Sequence, residues 1–370
     1  MKKIYLLSLC LWATTAAGAQ ELTFLNYDGF FSIGTQENRT ASITLYDIDK
    51  DGDLDALIAN GRHWAEQNYL YFNNGSGAFK TAMPLGALLD ASYAIAVADF
   101  NGDGHPDIAV ANDNTPNRIH WGSAGGNYKL ASEFGIKQAP SRNLSVYDIN
   151  ADGHPDILLA NRGAANEICY NDGKGNFPIS RAFGEERDQT LEIEIADLNQ
   201  DGHPDLITAE RKGPNKIYLN DGGGNFEKII EFGDPEVQTR SIEIADFDQD
   251  GRLDILTGNL GAANVVYYGD APLSFEKSYR FEVERETASV KVSDFNADGL
   301  PDIVEGTYEA PNFVQFSRPD GSWLEVCLNL DSSSDTYQVV VGDLNQDGLP
   351  DIVEANSGEL NLYYITRIKK

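Results

Sequence analysis

One nine-residue pattern occurs seven times in the chain at nearly constant spacing. Each copy has Asp at positions 1, 5 and 9, Asp or Asn at position 3, and Gly at position 6. Successive copies start 52, 49, 49, 49, 48 and 49 residues apart. A repeat of this length marks one structural unit that recurs along the chain, so it constrains the fold more than any single motif. The copies start at Asp47, Asp99, Asp148, Asp197, Asp246, Asp294 and Asp343.

A second signature keeps a fixed distance from the first. In six copies an Asn follows the first Asp by 18 residues, and in the first copy Asn68 follows by 21, which indicates a three-residue insertion. An apolar stretch, a Gly-rich turn and an aromatic residue come next, as in the segment 215–226. The six regularly spaced residues are Asn117, Asn166, Asn215, Asn264, Asn312 and Asn361.

Each repeat contains four short stretches with the alternating pattern of β-strands. Four strands in a unit of 40 to 50 residues are typical of a β-propeller blade. We therefore predict an all-β, seven-bladed β-propeller with four-stranded blades, formed by residues 20–370 as one domain. The last repeat lacks its fourth strand, and the segment 22–24 has the pattern of one. The N-terminal strand is thus expected to join the last blade and close the ring, which leaves no exposed edge.

The N-terminus has the pattern of a signal peptide over residues 1–19. Lys2 and Lys3 precede an apolar stretch over 4–12, and Ala17-Gly18-Ala19 suits cleavage. The apolar stretch is too short to cross a bilayer, so we expect an exported protein, periplasmic or extracellular, without a transmembrane segment. The formal net charge of −30 excludes nucleic acid as a partner, because binding phosphates requires an excess of Lys and Arg.

The nine-residue loops present the oxygen ligands that calcium prefers. Side chains at positions 1, 3, 5 and 9 can coordinate the ion, and Gly at position 6 permits the turn around it. We expect calcium as the cofactor, up to seven ions, with the tightest sites in the first and fifth loops, which are richest in carboxylates. The expected ligands are Asp47, Asp49, Asp51, Asp55; Asp99, Asn101, Asp103, Asp107; Asp148, Asn150, Asp152, Asp156; Asp197, Asn199, Asp201, Asp205; Asp246, Asp248, Asp250, Asp254; Asp294, Asn296, Asp298, Asp302; and Asp343, Asn345, Asp347, Asp351.

The loop and the trailing Asn segment resemble the FG-GAP and VCBS-type repeats of secreted bacterial proteins and, more distantly, the propeller of integrin alpha chains. The resemblance covers essentially the whole chain after residue 20. It implies that the loop residues bind calcium. The Phe-Gly pair of that family is present at 134–135, 183–184 and 232–233, whereas its Gly-Ala-Pro element is largely missing. Members of the family include adhesins, lectins and accessory domains, so the fold alone does not select a function.

A candidate ligand site lies on the face opposite the calcium loops, where the turns between the second and third strands emerge. Arg62, His63 and Trp64 belong to the insertion of the first repeat, and Arg162, Arg211 and Tyr308 lie in equivalent turns. We predict a basic, aromatic-edged funnel that binds an anionic ligand, with an acidic glycan favoured. The turns that lead back to each first strand add Arg39, Arg142, Arg187, Arg240 and Arg285.

Three alternatives remain open for this face. The arginines can balance neighbouring carboxylates without any ligand, or the face can bind a protein, as in a subunit or adhesin of an envelope assembly. The third alternative is a polysaccharide lyase that uses His63 and Tyr308 as its acid and base. Near the axis, Glu194, Glu243 and Lys291 occupy equivalent positions in adjacent repeats, so we expect them to form an ion-pair network.

Overall fold

The computed structural model describes residues 22–26, 30–271, 273–328 and 334–368, and the predicted signal peptide lies outside these ranges. Within them the regular structure consists of 27 β-strands. The first two strands are β1 (Leu22–Leu25) and β2 (Ser32–Ile33). Four sheets of four antiparallel strands follow, one for each of the first four repeats. Their strands are β3 (Thr40–Tyr46), β4 (Asp55–Asn60), β5 (Tyr69–Phe72) and β6 (Thr81–Pro84); β7 (Ser92–Ala98), β8 (Asp107–Asn112), β9 (Asn117–Trp121) and β10 (Lys129–Phe134); β11 (Ser141–Tyr147), β12 (Asp156–Asn161), β13 (Asn166–Tyr170) and β14 (Ile179–Phe183); and β15 (Thr190–Ala196), β16 (Asp205–Glu210), β17 (Asn215–Leu219) and β18 (Lys228–Phe232).

The fifth and sixth repeats share one sheet of six strands. Two long strands, β20 and β21, pair beyond the ends of the other blades, with Leu260 opposite Glu286 and Ala263 opposite Glu284. The prediction of seven separate blades is therefore wrong: the chain forms a propeller of six blades, counted as hydrogen-bonded sheets, and the fifth blade carries two repeats. The strands of this blade are β19 (Gln238–Ala245), β20 (Asp254–Tyr267), β21 (Ser278–Ser293), β22 (Asp302–Thr307), β23 (Phe313–Ser317) and β24 (Trp323–Cys327).

A sequence difference at the end of the fifth repeat accompanies the shared sheet. In the second, third and fourth repeats the last strand ends in Phe-Gly, and Gly135, Gly184 and Gly233 adopt positive φ angles, which turn the chain. In the fifth repeat the corresponding Phe281 is followed by Glu282, and the chain continues as one strand through Ser293. Without the glycine the backbone remains extended, so β21 continues into the next repeat.

The last blade closes the ring as the sequence predicted. It contains β25 (Thr336–Gly342), β26 (Asp351–Asn356) and β27 (Asn361–Ile368), and β1 pairs with β27 in antiparallel register from Leu22–Ile368 to Leu25–Ile365. β2 also pairs with β27. The N-terminal strand therefore replaces the fourth strand that the last repeat lacks.

The regularly spaced Asn residues join each repeat to the next one. Asn166 accepts a hydrogen bond from the backbone N–H of Asn161 at 2.9 Å and donates to Thr190 Oγ1 of the following repeat at 3.0 Å. The same bridge crosses the closure, where Asn361 donates to Thr40 Oγ1 at 3.1 Å. In each bridge the Asn also gives a buried backbone N–H its acceptor, so the bridge fulfils a hydrogen bond that the second strand needs. The remaining bridges are Asn68–Ser92, Asn117–Ser141, Asn215–Thr239, Asn264–Thr287 and Asn312–Thr336.

The hydrophobic core lies between adjacent repeats. One apolar residue of each inner strand is buried there, as the alternation predicted, and clusters such as that of Ile43, Ile58, Tyr71 and Val353 join the last repeat to the first. The glycine of Phe-Gly contributes to these contacts because it leaves room for an aromatic side chain. A Cβ atom on Gly184 would lie 3.1 Å from Tyr218 Oη of the next repeat. The buried residues of the inner strands are Ile43, Ile95, Leu144, Ile193, Ile242, Val290 and Val339.

Candidate functional site

The acidic loops connect the first and second strands of each repeat, and in all seven the Asp at position 1 accepts from the backbone N–H of the Gly at position 6. In the fifth loop, Asp246 accepts from the backbone N–H groups of Asp250 and Gly251 at 3.0 and 2.9 Å. Position 4 has a left-handed φ in every loop, although only Gly102 among these residues is a glycine. These turns direct the side chains of positions 1 and 3 towards the loop centre. Six non-glycine residues adopt the left-handed conformation: Lys50, Ala151, Gln200, Gln249, Ala297 and Gln346.

The Asp at position 9 begins the second strand and is buried. Asp254 accepts from the backbone N–H of Phe247 at 2.7 Å and from that of Gly269 at 2.8 Å, so it ties the loop to the end of the third strand. Burial raises the pKa of Asp254 to about 6 despite these bonds. The same cause raises the pKa of Asp302 and Asp351 to about 7. A cation near these carboxylates would reverse the shift, because it stabilises their ionised form.

Two loops bring three carboxylates together. Ligand atoms of Asp47, Asp49 and Asp55 lie within 4.8 Å of one another, and so do those of Asp246, Asp248 and Asp254 in the fifth loop. These are the two loops with Asp at position 3. Asp47 Oδ1 is buried and has no hydrogen-bond partner, as expected of a metal ligand. The donor set of hard oxygen atoms suits calcium.

The predicted ligands at position 5 of these two loops lie outside the convergent groups. Asp51 accepts from the backbone N–H of Asp53 at 3.2 Å, and Asp250 accepts from that of Arg252 at 2.9 Å. Both therefore have a local turn partner.

On the opposite face, the mouth of the central channel is formed by β-bulges. Each inner strand has a register shift, and the extra residue points into the channel. All seven bulged residues line one cavity of about 110 Å³. Four of them are large and polar, so the bulges provide a mouth of two tyrosines and two arginines. The bulged residues are Ala41, Tyr93, Arg142, Leu191, Arg240, Ala288 and Tyr337.

The first cluster at this mouth joins His63 to Tyr93. Asp113 lies 2.6 Å from His63 Nδ1 and accepts from Arg142 at 2.7 Å. The other ring nitrogen, Nε2, lies 3.0 Å from Tyr93 Oη, and the Arg142 guanidinium lies 4.2 Å from the centre of the Tyr93 ring. Burial opposes ionisation of Asp113, but the hydrogen bonds from Arg142 and His63 outweigh it and hold its pKa below the usual range.

The second cluster joins the predicted Arg62 and Tyr308 through Tyr337. The Arg62 guanidinium lies 3.5 Å from the centre of the Tyr337 ring, and the ring centres of Tyr308 and Tyr337 are 4.7 Å apart. Arg240 lies 5.8 Å from the same Tyr337 ring. Tyr308 is thus in a different cluster from His63, whose two nitrogens contact Asp113 and Tyr93.

Arg162 and Arg211 lie close enough to interact with each other electrostatically. Burial and the positive charges of Arg142 and Arg211 lower the pKa of Arg162, and the charges of Tyr93 and Asp113 also act on it. Among the described residues, no carboxylate forms an ion pair with Arg62, Arg162, Arg211 or Arg240. A chain with a formal charge of −30 therefore leaves four arginines on one face without an ion pair, although the charge of Glu192 acts on Arg240.

Other predicted members of the funnel are neutralised or stand apart. Arg39 pairs with Glu66 at 3.0 Å and lies over the exposed Trp64 at 4.4 Å. Arg187 pairs with Glu185, and Arg285 pairs with Glu305 and Glu325. These arginines balance neighbouring carboxylates, as the first alternative predicted.

Sequence reasoning missed Tyr93 and Tyr337. Each lies one residue before a position that regular alternation would point into the channel. Regular alternation would therefore bury both tyrosines in the core between adjacent repeats. The bulge reverses their direction. The available signal was the Ser or Thr that comes immediately before the bulged residue in every repeat.

Deeper in the channel, the predicted network of Glu194, Glu243 and Lys291 is confirmed. Lys291 Nζ donates to Glu243 Oε1 and lies 3.9 Å from Glu194 Oε1. Burial and the charge of Glu243 raise the pKa of Glu194, although Lys291 opposes the shift. The network provides structural pairing between adjacent repeats.

The fold and its loops define a β-propeller with an acidic loop in each repeat. The chain belongs to the FG-GAP-like repeat family, whose sequence pattern matches residues 47–110, 99–159, 148–208, 197–257 and 294–354. No curated protein sequence matches the chain. The described part of the chain has no helix with the length and apolarity to cross a bilayer.

Solved structures with similar folds include two propellers. The BP39L lectin from Burkholderia pseudomallei has a TM-score of 0.65 at 11% identity, over 90% of this chain and 96% of the lectin. BBS1N, solved in complex with ARL6DN, has a TM-score of 0.63 at 12% identity, over 92% of this chain and 96% of that chain. At these identities the similarity establishes the fold alone.

Proposed function

We propose that this protein is an exported binding module that recognises an anionic ligand, with an acidic glycan favoured, at the mouth of its central channel. The observation that carries the proposal is the group of four arginines without an ion pair among the described residues, Arg62, Arg162, Arg211 and Arg240. The four arginines are half-buried. A ligand carboxylate or sulfate would provide a counter-ion for them and accept a forked pair of hydrogen bonds.

Aromatic side chains extend this mouth. The rings of Tyr308 and Tyr337 are tilted by 45° and contact each other beside Arg62, and Trp64 is 54% exposed at the rim. Flat rings next to cations suit a charged sugar, whose ring can stack while its acidic group is bound by the arginines. The similar lectin fold adds weak support.

We further propose that calcium binds the first and fifth loops and stabilises the face opposite the ligand. Asp47, Asp49 and Asp55, with Asp246, Asp248 and Asp254, are the ligands that converge there. The five other loops have Asn at position 3 and so one carboxylate fewer, and we expect them to bind more weakly. Calcium should raise the melting temperature, and the double variant D246N/D248N should reduce the increase. An identical melt in calcium and in EDTA would contradict calcium binding.

Native affinity electrophoresis tests the ligand proposal. The mature protein, with calcium, is run through gels that contain polygalacturonate, alginate, a sulfated polysaccharide or neutral dextran. Acidic polymers should retard it and dextran should not. The double variant R162A/R211A should bind at least about 10-fold more weakly, which corresponds to about 1.4 kcal/mol. The variant R280A/R367A removes the same charge from exposed arginines paired with Glu284 and Asp347, and serves as the matched control.

The outcomes separate the alternatives. Equal retardation of R162A/R211A and the control would refute the arginine site. Unchanged mobility in every gel would refute the glycan proposal and favour a protein partner. That alternative is also compatible with the fold, because the similar BBS1N propeller was solved in a complex with another protein.

A further inference from the structure

The hydrogen-bond chain of Asp113, His63 and Tyr93 has a fixed direction. Asp113 is ionised and can only accept, so His63 Nδ1 must carry the proton that lies 2.6 Å from it. When His63 is neutral, its Nε2 is unprotonated and accepts from the Tyr93 hydroxyl at 3.0 Å. A carboxylate that orients a histidine, which in turn accepts a proton from a hydroxyl group, is an arrangement that activates that hydroxyl.

Tyr93 lines the channel-mouth cavity and is 5% exposed. The Arg142 guanidinium lies 4.2 Å from the centre of its ring. Arg162, which forms no ion pair with the described residues, lies in the turn after Asn161 on the same face of the propeller. A carboxylate bound by Arg162 would therefore lie on the face to which the channel mouth and Tyr93 belong.

We propose that the Asp113–His63–Tyr93 chain makes this protein a lyase that cleaves uronate-containing polysaccharides by β-elimination. The proposal rests on the proposed binding of acidic glycans and identifies their class as uronates. It replaces the predicted pair of His63 and Tyr308 with His63 and Tyr93, because these two are joined in the structure.

The reaction balances without a co-reactant. Tyr93 transfers its proton to His63 Nε2, and the phenolate oxygen removes the proton on C5 of the uronate. The electron pair of the C5–H bond forms a C4=C5 double bond, and the C4–O bond breaks with its electrons on the leaving oxygen. Tyr93 passes the C5 proton to that oxygen, and His63 returns the first proton to Tyr93. Arginines on the uronate carboxylate stabilise the charge that develops at C5.

The carboxylates at this mouth favour elimination over hydrolysis. Glycoside hydrolysis usually needs two carboxyl groups on either side of the scissile bond. Asp113 is held by His63 and Arg142, and Glu192 in the cavity accepts from the backbone N–H of Ile242 at 2.8 Å. The hydroxyl of Tyr93 is the group with an activating base.

The test uses the whole mature protein with calcium on polygalacturonate, alginate and hyaluronan. Elimination creates a double bond conjugated to the carboxylate, which is followed by ultraviolet absorbance, while reducing ends are counted separately. The variants Y93F and H63A should each lose at least about 100-fold in rate, because general acid–base catalysis contributes about 10²- to 10⁴-fold. Y147F removes a hydroxyl from an exposed tyrosine at the other end of an inner strand, and should keep the full rate.

Binding and chemistry are read separately. Y93F should still be retarded by the acidic polymer and should melt at the wild-type temperature, which shows that the site is folded. Retardation of the wild type without any unsaturated product would overturn the lyase inference and leave the binding function intact. New reducing ends without unsaturation would overturn it in favour of hydrolysis. Absence of both retardation and product would refute the proposed function together with this inference.

Discussion

The Asn bridge at the ring closure offers a direct test of how the propeller holds its first and last blades together. Asn361 accepts from the backbone N–H of Asn356 at 2.8 Å and donates to Thr40 Oγ1 at 3.1 Å. Thr40 also donates to Asn60 Oδ1 at 2.8 Å. The perturbation is Asn361→Ala, which removes both functions of the side chain at a site that is 4% exposed.

The loss of stability in N361A can be estimated from the polar groups that lose a partner. The buried N–H of Asn356 loses its acceptor, which costs about 1–3 kcal/mol, and the lost bond to Thr40 adds about 0.5–1.5 kcal/mol. Thr40 retains its bond to Asn60, so its hydroxyl is not isolated. We expect N361A to lower the free energy of unfolding by about 2–4 kcal/mol.

Urea denaturation of the mature protein in calcium measures this change. N166A makes the same change between the third and fourth repeats and should cost a similar amount, because its two bonds are 2.9 and 3.0 Å long. A double-mutant cycle of N361A with T40V isolates the pair across the closure. A loss below about 0.5 kcal/mol for both N361A and N166A would refute the reasoning, since buried groups would then not depend on these bridges.

Three further predictions follow from the packing and the charges. G184A should lower the melting temperature, because the added Cβ lies 2.8 Å from Asp188 Oδ2 and at a positive φ. The control is G126A, which also has a positive φ but open space around its Cβ, and equal losses would exclude the steric term. The increase in melting temperature produced by calcium, relative to EDTA, should grow as the pH rises through about 6. Without a cation, burial raises the pKa of Asp254 to about 6, so protonation of Asp254 stabilises the fold at low pH and this stabilisation is lost as the pH rises. Calcium, in contrast, binds the ionised carboxylate. A calcium-dependent increase in melting temperature that does not change with pH would contradict this linkage. K291M should lower the free energy of unfolding by about 1–3 kcal/mol near neutral pH, as measured in urea, because it leaves the half-buried Glu243 without its cation; no change would show that water already screens the pair.

The sequence alone determined the unit of the fold and the chemistry of its loops. Seven copies of the Asp pattern, the Asn at a fixed distance and the strand alternation are local features, because turns and strands depend on neighbouring residues. The same locality made the closure by Leu22–Leu25 and the Glu194–Glu243–Lys291 network predictable, since equivalent positions of adjacent repeats must face the same axis.

The tertiary structure decided which repeats remain separate and which side chains meet. Glu282 in place of a glycine keeps β21 extended, and its pairing with β20 merges two repeats into one blade, an outcome that depends on a partner strand. His63 was a candidate from its insertion, but its partners Asp113 and Tyr93 come from the next repeat. Tyr93 faces the channel because of a bulge in the pairing of β7 with β8. The repeat pattern thus gives the parts and their spacing, whereas contacts between chain segments distant in sequence assemble the site.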